Sequence, residues 1–324
     1  MRAYRVHAFG GAAGLETVDR PDPGPGEVRL RIAACGLNFA DLLMLKGEYQ
    51  ERPEPPFTLG MEVAGTVEAP GPGVQGLAPG DRVAVFAGQG GLAEWGVFPA
   101  DRCVLLPPDM PFETAAAFMI AYGTSHLALQ HRARLQPGET LLVTGAAGGV
   151  GLTAVEIGHA MGARVIAVAR GADKLAVARA AGADHLIDSD TTPDLRAALK
   201  ALGGVDVVYD AVGGETFMAA LRATRPEGRL IPVGFAGGGV PQIPANLLLV
   251  KNLTVIGLYW GGYMAFRPGL LRDSLAELMA MYSAGRLHPH VSHVLPLERT
   301  DEALELLRSR KSTGKVVVAM GAAP

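Results

Sequence analysis

The fold of this chain is decided by the stretch LLVTGAAGGVG, which spans residues 141–151. Its first four residues suit a buried strand, its glycines suit a tight turn, and the apolar periodicity of residues 152–161 predicts a helix. The turn matches the pattern G-x-G-x-x-G, with Ala146 at the first position and glycine at the other two. Glycine lets the backbone approach phosphates, and a helix N-terminus favours negative charge. We therefore predict a dinucleotide-phosphate site formed by Gly148, Gly149, Val150 and Gly151.

The residues after this motif indicate which dinucleotide is bound. A second buried strand is predicted over residues 164–169, and an NAD-preferring fold would carry an acidic residue at its end to hold the ribose hydroxyls. This chain has Arg170 there and Lys174 shortly after it, and two cations suit a 2′-phosphate. The alternative is a solvated helix start in which Asp173 neutralises Lys174. The pattern favours NADPH over NADH.

The composition limits the class of protein. The chain has 324 residues, of which 49% are hydrophobic and 43 are glycine, as expected of an α/β protein with two domains. A formal net charge of −3 gives no reason to expect a nucleic acid or an acidic membrane surface as a partner. Cys35 and Cys103 are the only cysteines, so no disulfide framework is predicted and a reducing cytoplasm is the expected location. The N-terminus lacks a long apolar run and residues 246–260 are interrupted by Lys251, so neither a signal peptide nor a membrane span is predicted.

Strand and turn patterns divide the chain into two kinds of structure. Short strands between Pro-Gly turns, at residues 27–34, 62–68 and 81–86, predict a small, mostly β domain up to about residue 120, and residues 112–130 are expected to be helical. From residue 139, strands and helices alternate, which predicts a doubly wound parallel sheet. Its six strands are expected at residues 140–144, 164–169, 185–187, 205–210, 229–233 and 253–258.

The C-terminal part is expected to return to the first domain. Helices are predicted over residues 270–284 and 300–309, with a loop between them and a final strand over 315–319. The nucleotide-binding domain is then an insertion in the first domain. The predicted division is residues 1–120 with 265–324 for the first domain and residues 121–264 for the second.

Four further motifs, together with the glycine turn, carry a resemblance to a known superfamily. They are ACGLNFAD at residues 34–41, LGMEVAG at 59–65, GDRV at 80–83 and GGLAEW at 90–95. The chain resembles the medium-chain dehydrogenase/reductase superfamily and, within it, the zinc-lacking quinone oxidoreductases related to zeta-crystallin. The resemblance implies a GroES-like, mostly β catalytic domain and a Rossmann nucleotide-binding domain. It also implies a homodimer, because relatives cover the apolar edge formed by the sixth strand, residues 253–258, by pairing it across a two-fold axis.

The chain differs from the zinc-dependent relatives at the positions of the metal ligands. Asn38 and Met61 stand where those relatives carry a ligand cysteine and a ligand histidine, and an amide and a thioether do not replace thiolate and imidazole for Zn²⁺. The cluster of four cysteines that holds a structural zinc in those relatives is absent as well, so we expect neither a catalytic nor a structural zinc. His288, His290 and His293 are the remaining metal candidates, and a loop with surface histidines is the favoured alternative. Without a Lewis acid, hydride transfer needs an acceptor such as a quinone or an activated enone, with hydrogen-bond donors holding the developing charge.

The resemblance implies three residues on the acceptor side. Asn38 is expected at the nicotinamide and the acceptor, where its amide can donate a hydrogen bond; a turn-closing Asn is the alternative. Asp41 lies three residues later and is expected to order the site, with a buried salt bridge as the alternative. Tyr49 is expected to line the acceptor pocket, against the alternative of an ordinary loop aromatic. Leu43 replaces a tyrosine found in some relatives, which suggests a more apolar pocket.

Further residues are expected at the cofactor. The resemblance implies that Thr124 contacts a phosphate or the ribose. Ser189 follows the third strand, in a position that often faces the 2′-phosphate. Phe235 follows the fifth strand, at the edge where nucleotides bind. Tyr259 and Trp260 follow the sixth strand and are expected to wall the nicotinamide or the acceptor, with core or subunit packing as the alternative. The segment STGK ends in Lys315, which resembles a terminal Gly-Lys pair near the cofactor; a solvated lysine is the alternative.

Three functions are consistent with these observations. The favoured function is NADPH-dependent quinone reduction. The second is reduction of the carbon–carbon double bond of an α,β-unsaturated ketone or acyl thioester. The third is a non-catalytic, NADPH-binding role of the crystallin kind, which the presence of Asn38, Asp41 and Tyr49 argues against.

Overall fold

The computed structural model describes residues 1–321, so residues 322–324 of the predicted first domain lie outside the described part. The chain forms two compact units, one made of Met1–Ile120 with the chain from Pro289 onward, the other of Ala121–His288. The predicted domain boundaries, 120/121 and 264/265, stay predictions. The helix after residue 267 is bonded within the second unit, where His126 Nδ1 lies 2.8 Å from Ser274 Oγ.

The regular elements follow one another along the chain, with short 3-10 helices at Ala100–Arg102 and Leu297–Arg299 and a π-helical segment at Leu127–Arg132. The strands and the other helices are β1 (Arg2–Val6), β2 (Ala13–Thr17), β3 (Glu27–Leu37), α1 (Phe39–Lys46), β4 (Phe57–Thr58), β5 (Glu62–Pro70), β6 (Arg82–Phe86), β7 (Trp95–Pro99), β8 (Cys103–Leu105), α2 (Phe112–Ala116), α3 (Met119–His126), β9 (Thr140–Thr144), α4 (Gly149–Ala160), β10 (Arg164–Ala169), α5 (Ala172–Ala180), β11 (His185–Asp188), α6 (Leu195–Ala201), β12 (Val205–Asp210), α7 (Gly214–Ala223), β13 (Thr224–Pro232), α8 (Ala245–Lys251), β14 (Thr254–Val255), α9 (Tyr263–Phe266), α10 (Pro268–Ser283), β15 (Val291–Pro296), α11 (Thr300–Arg308) and β16 (Lys315–Ala319).

The first unit is built on two sheets. The larger has the strand order β15-β16-β3-β5-β6-β8, with β7 also paired to β3, and the smaller has the order β2-β1-β4. Strand β3 lies between β16 and β5, and both of these pairings are antiparallel. Leu37 pairs with Val316 on one side and Gly36 with Glu62 on the other. The end of β3 is therefore flanked by residues from two distant parts of the chain.

The second unit is the predicted doubly wound sheet. Its six strands are parallel and have the order β11-β10-β9-β12-β13-β14, and β9 is buried along its whole length. Ligands of such sheets bind where the strand order reverses, at the carboxyl ends of the strands. This point is the end of β9, where the glycine turn begins. The predicted fold class is confirmed.

Several elements differ from the sequence-based expectations. The sixth strand, expected over residues 253–258, is confined to Thr254–Val255. Beyond it the Ile256 N–H still bonds to Leu230 of β13, and the Gly257 carbonyl instead accepts a hydrogen bond from the Arg132 side chain. The helix expected over residues 112–130 is three helical segments, broken around residues 117–118. The loop expected before residue 300 contains strand β15, so that His293 lies in a sheet. No helix within residues 1–321 is both long and apolar enough to cross a membrane.

Candidate active site and cofactor site

A buried polar cluster lies at the end of β3. Asn38 caps the N-terminus of α1, and its side chain lies between Lys315 of β16 and Glu62 of β5. The Asn38 Oδ1 atom accepts from Lys315 Nζ at 2.6 Å, and Nδ2 donates to Glu62 Oε1 at 2.9 Å. A longer contact of 3.3 Å joins Nδ2 to the carbonyl oxygen of Gly36. Every hydrogen-bonding atom of this amide therefore has a partner within the first unit.

Lys315 is part of this buried cluster. Its side chain is buried, and Nζ donates to three acceptors: Asn38 Oδ1, Glu62 Oε1 at 2.7 Å and the Leu37 carbonyl at 2.8 Å. An ammonium group has three N–H donors, and all three are engaged here. Lys315 is therefore not the solvated lysine of the alternative, whereas its position near the cofactor stays a prediction.

Glu62 is a site residue that the sequence analysis missed. Its side chain is 1% exposed, and Oε1 accepts from Lys315 and Asn38 while Oε2 accepts from the Ile120 N–H at 2.9 Å. A charged residue that begins an otherwise apolar strand, EVAGTV, was the available signal. Because a buried charge is stabilised only when it is paired and hydrogen-bonded, Glu62 and Lys315 depend on each other.

Asp41 is fully buried in the first turn of α1. Its Oδ2 atom accepts from the Asn38 N–H at 2.7 Å, and among residues 1–321 no donor meets its Oδ1 atom in hydrogen-bond geometry. Burial raises the pKa of Asp41 to about 7, against the opposing effects of the Asn38 hydrogen bond and the Lys315 charge. The buried lysine pairs with Glu62, so within the described residues Asp41 is in no salt bridge. Asp41 therefore bonds to the backbone N–H of Asn38, and its role in ordering the site stays a prediction.

Tyr49 follows α1 and is partly buried. Burial, the Glu51 charge and the Asp41 charge together raise the pKa of Tyr49 to about 12. At neutral pH its hydroxyl is protonated and can donate a hydrogen bond. The structure thus brings Asn38, Asp41 and Lys315 together and places Tyr49 within electrostatic reach of Asp41.

The glycine turn in the second unit has the geometry of a phosphate cradle. Gly145 has a φ of +63°, and Gly148 caps α4 in an extended conformation. A Cβ on Gly151 would lie 2.2 Å from the Gly145 carbonyl oxygen, so the turn closes on the helix only with glycine there. The N–H groups of the first turn of α4, at Gly149, Val150 and Gly151, have no intrahelical acceptors. Turn and helix start together fit the pyrophosphate of a dinucleotide.

Ser125 supports this turn and was not predicted. Its hydroxyl donates to the Val150 carbonyl at 2.9 Å and lies 2.8 Å from Thr153 Oγ1 and 3.0 Å from the Tyr209 hydroxyl. Thr124, the predicted neighbour, is itself buried in α3. Two adjacent hydroxyl residues in a helix were the only signal, and the sequence does not say which one faces α4.

The carboxyl ends of β10 and β11 lie side by side in the parallel sheet. Arg170 is exposed, and among residues 1–321 its guanidinium has no partner. The Ser189 N–H donates to the Ala169 carbonyl at 3.0 Å, which brings Ser189 beside Arg170. Asp188 Oδ1 accepts from the Gly171 N–H, and such backbone hydrogen bonds lower the pKa of Asp188. Lys174, partly buried, lies in the first turn of α5.

The aromatic residues divide into packed and accessible ones. Trp260 is buried, and a Cβ on Gly123 would lie 2.7 Å from its ring, so the core-packing alternative applies to Trp260. Tyr263 is likewise buried, with its ring 4.6 Å from that of Phe266. Phe235 and Tyr259 are 41% and 38% exposed, and these two remain candidates for contact with a ligand.

The side chains that could bind a metal ion are those of His, Cys, Asp and Glu. Within residues 1–321, no group of three or more His, Cys, Asp or Glu side chains is arranged to hold a metal ion. Met61 is buried, beside Glu62 in the sequence. His290 and His293 have hydroxyl partners, Thr313 at 2.9 Å and Ser292 at 2.9 Å.

Comparison with known families matches both parts of the chain. Residues 24–108 match the family described as alcohol dehydrogenase GroES-like domain. Residues 149–276 match the family described as zinc-binding dehydrogenase.

Individual relatives and solved structures are also similar to this chain along most of its length. The chain is 43% identical to quinone oxidoreductase-like protein 2 homolog of Nematostella vectensis, over 91% of this chain and 82% of that protein. It is 41% identical to quinone oxidoreductase-like protein 2 of Bos taurus, over 94% and 88%. Among solved structures, the quinone oxidoreductase of Thermus thermophilus, also solved with NADPH, has a TM-score of 0.88 at 36% identity, covering 99% of this chain and 100% of that one. The Escherichia coli quinone oxidoreductase complexed with NADPH has a TM-score of 0.90 at 30% identity, covering 98% and 100%. The chain therefore belongs to the medium-chain dehydrogenase/reductase superfamily and, within it, to the quinone oxidoreductase family.

Proposed function

We propose that this chain is a zinc-independent oxidoreductase that transfers a hydride from NADPH to a quinone in the cytoplasm. One observation carries the proposal: the glycine turn is intact, while an amide and a thioether, Asn38 and Met61, occupy the positions at which zinc-dependent relatives carry metal ligands. The chemistry then requires an acceptor that is reducible without a Lewis acid.

The second unit is proposed to bind NADPH, which supplies the hydride when bound. Its pyrophosphate would lie at the N–H groups of Gly149, Val150 and Gly151. The exposed guanidinium of Arg170 supports a 2′-phosphate site, with Ser189 beside it and Lys174 in the first turn of α5. Thr124, Phe235 and Tyr259 complete the proposed cofactor contacts.

The first unit is proposed to bind the acceptor. Asn38 Nδ2 makes two contacts, one of 2.9 Å to Glu62 and one of 3.3 Å to the Gly36 carbonyl oxygen. Because the contact to Gly36 is the longer one, an acceptor oxygen can compete for that N–H. Tyr49 keeps its proton at neutral pH and can donate a second hydrogen bond. Together these donors would hold negative charge as it develops on the acceptor oxygen.

The second candidate function is reduction of enones. It is supported by Leu43, a partly buried apolar residue in α1 that makes the acceptor pocket more apolar than a tyrosine would. A hydride added to the β-carbon of an enone leaves an enolate oxygen, which the same donors would hold.

The test is NADPH oxidation followed by absorbance with ortho- and para-quinones and simple enones in parallel, and with NADH as the control. We expect quinone turnover with a clear preference for NADPH. Faster reduction of enones would replace the first candidate with the second. NADPH binding without turnover of either panel would instead support a non-catalytic role.

A further inference from the structure

We propose that Lys315 and Glu62 are positioning residues that fix the orientation of the Asn38 side-chain amide, and that Asn38 therefore presents a hydrogen-bond donor to ligands. The inference rests on the proposed function, in which Asn38 faces the acceptor. It gives the buried ion pair a role in the site beyond the stability of the first unit.

The strand order explains why these two residues meet at Asn38. The pairing of Leu37 with Val316 places Lys315 beside Asn38 on one side of β3. The pairing of Gly36 with Glu62 places the carboxylate on the other side. Asn38 is the first residue after β3, so its side chain is held between a cation and an anion that come from opposite neighbouring strands.

Only one amide orientation satisfies both neighbours. Lys315 Nζ can only donate and lies 2.6 Å from Oδ1, whereas the Glu62 carboxylate can only accept and lies 2.9 Å from Nδ2. A half-turn of the amide would set Nδ2 against the ammonium and Oδ1 against the carboxylate. A donor would then face a donor and an acceptor would face an acceptor in this buried site, so neither pair could form a hydrogen bond.

The fixed orientation has a consequence for ligand choice. Lys315 holds Oδ1, so this oxygen is not available to accept from a ligand. One N–H is held by Glu62, and the other, directed at Gly36, is the group that a ligand can engage. The site therefore favours oxygens that accept a hydrogen bond, as carbonyl oxygens of quinones and enones do. It disfavours a ligand that can only donate there.

The test compares Lys315→Met with the double variant Lys315→Met/Glu62→Gln. The single variant Lys315→Met leaves the Glu62 charge buried without its partner. A fall in the activity of this variant can therefore come from lost stability as well as from a misoriented amide. The double variant removes both charges with side chains of similar size, and the amide of the introduced glutamine can present either oxygen or nitrogen to Asn38. Lys311→Met, at an exposed lysine nearby in the sequence, is the matched control.

We expect the double variant to keep the wild-type dissociation constant for NADPH, measured by fluorescence, within about twofold. We expect its kcat for the best acceptor to fall roughly 10- to 100-fold, less than the roughly 100- to 1000-fold for removal of an oxyanion donor, because the Asn38 amide is still present. Lys315→Arg, which keeps a donor for Oδ1, should retain more activity than Lys315→Met. A weakened NADPH affinity, or an unchanged kcat in a folded double variant, would overturn the proposal.

A second readout does not depend on turnover. Hydrogen exchange of the Asn38 side-chain amide protons, assigned by comparison with Asn38→Asp, should be at least tenfold faster in the double variant than in the wild type. Equal exchange rates would overturn the proposal. Absence of turnover in the wild type with the expected change in exchange would refute the proposed function alone.

Discussion

At the residue scale, Asp41 combines complete burial with a pKa raised to about 7. In the unfolded chain an aspartate titrates near pH 3.9, so between about pH 4 and pH 7 the folded state binds more protons than the unfolded state. Stability contributed by this group is therefore present at low pH and is lost as pH rises through 7. The loss is on the order of 4 kcal/mol at 1.36 kcal/mol per pKa unit.

The measurement is denaturant unfolding of the wild type and Asp41→Asn across this pH range. We expect the stability of the wild type relative to the variant to decline from pH 4 to pH 7 and to level off above it. Asp109→Asn, at an exposed aspartate of the same unit, serves as the control and should show no such trend. A pH-independent difference for Asp41→Asn would contradict the raised pKa.

Arg170 is the second residue with a direct consequence. Its exposed guanidinium is proposed to hold the 2′-phosphate, which NADH lacks. We expect Arg170→Ala to raise the KM for NADPH roughly 10- to 100-fold, since hydrogen bonds to charged groups contribute about 1.5–3 kcal/mol, and to leave the KM for NADH unchanged. Steady-state kinetics with both nucleotides measure this. Arg272→Ala, at an exposed position of α10, is the control; equal changes for both nucleotides would argue against the assignment.

At the element scale, two glycines of one turn should differ in their effects. A Cβ on Gly151 would lie 2.2 Å from the Gly145 carbonyl oxygen, whereas a Cβ on Gly148 would lie 3.4 Å from the same atom. We expect Gly151→Ala to lower the free energy of unfolding by about 1–3 kcal/mol through overpacking. Gly148→Ala should change it by less than about 0.5 kcal/mol.

The two substitutions should affect NADPH affinity in the opposite order to stability, with the larger loss of affinity in Gly148→Ala. The methyl group of Gly148→Ala would stand in the turn to which the pyrophosphate is proposed to bind, so we expect a well-folded variant with several-fold weaker NADPH binding. Thermal unfolding and nucleotide titration of both variants separate the two effects. Wild-type affinity in Gly148→Ala would place the pyrophosphate elsewhere.

Elements with a strong local pattern were predictable. The bounds of β9, β10 and β12 match the predicted ones, because each is a short segment rich in apolar and β-branched residues that is enclosed by turn residues. Helix α1 was not predicted as an element, since it is eight residues long and its stability comes from packing of Leu42 and Met44. Strand β15 was missed because its mixed residues, VSHVLP, acquire strand structure by pairing with β16.

At the scale of the whole molecule, a homodimer through β14 remains a prediction. The Ile256 N–H bonds to Leu230 of β13, so the alternation of a strand directs the Val255 N–H away from β13. On α8, immediately before this edge, Leu249 and Val250 are 76% and 67% exposed, which is unusual for apolar side chains unless a partner covers them.

Light scattering after size exclusion should give twice the chain mass of 33.7 kDa. Val255→Pro removes one outward donor per subunit, and hence two per dimer. We expect it to weaken dimerisation by about 2 kcal/mol, or roughly 30-fold. Gly14→Ala, which adds a methyl group in open space of the first unit, should not change it. A monomeric wild type at micromolar concentration would contradict the dimer.

The sequence by itself determined the superfamily, the doubly wound sheet and the glycine turn, because these depend on residues that are close together in the chain. The tertiary structure decided the environment of Lys315. Its partners, Asn38 and Glu62, are 277 and 253 residues away, and only the order β16-β3-β5 brings the three together. Likewise, only packing decided that Trp260 is buried while Tyr259 is accessible. Local patterns fix elements, whereas burial and charge pairing between distant residues depend on how those elements are assembled.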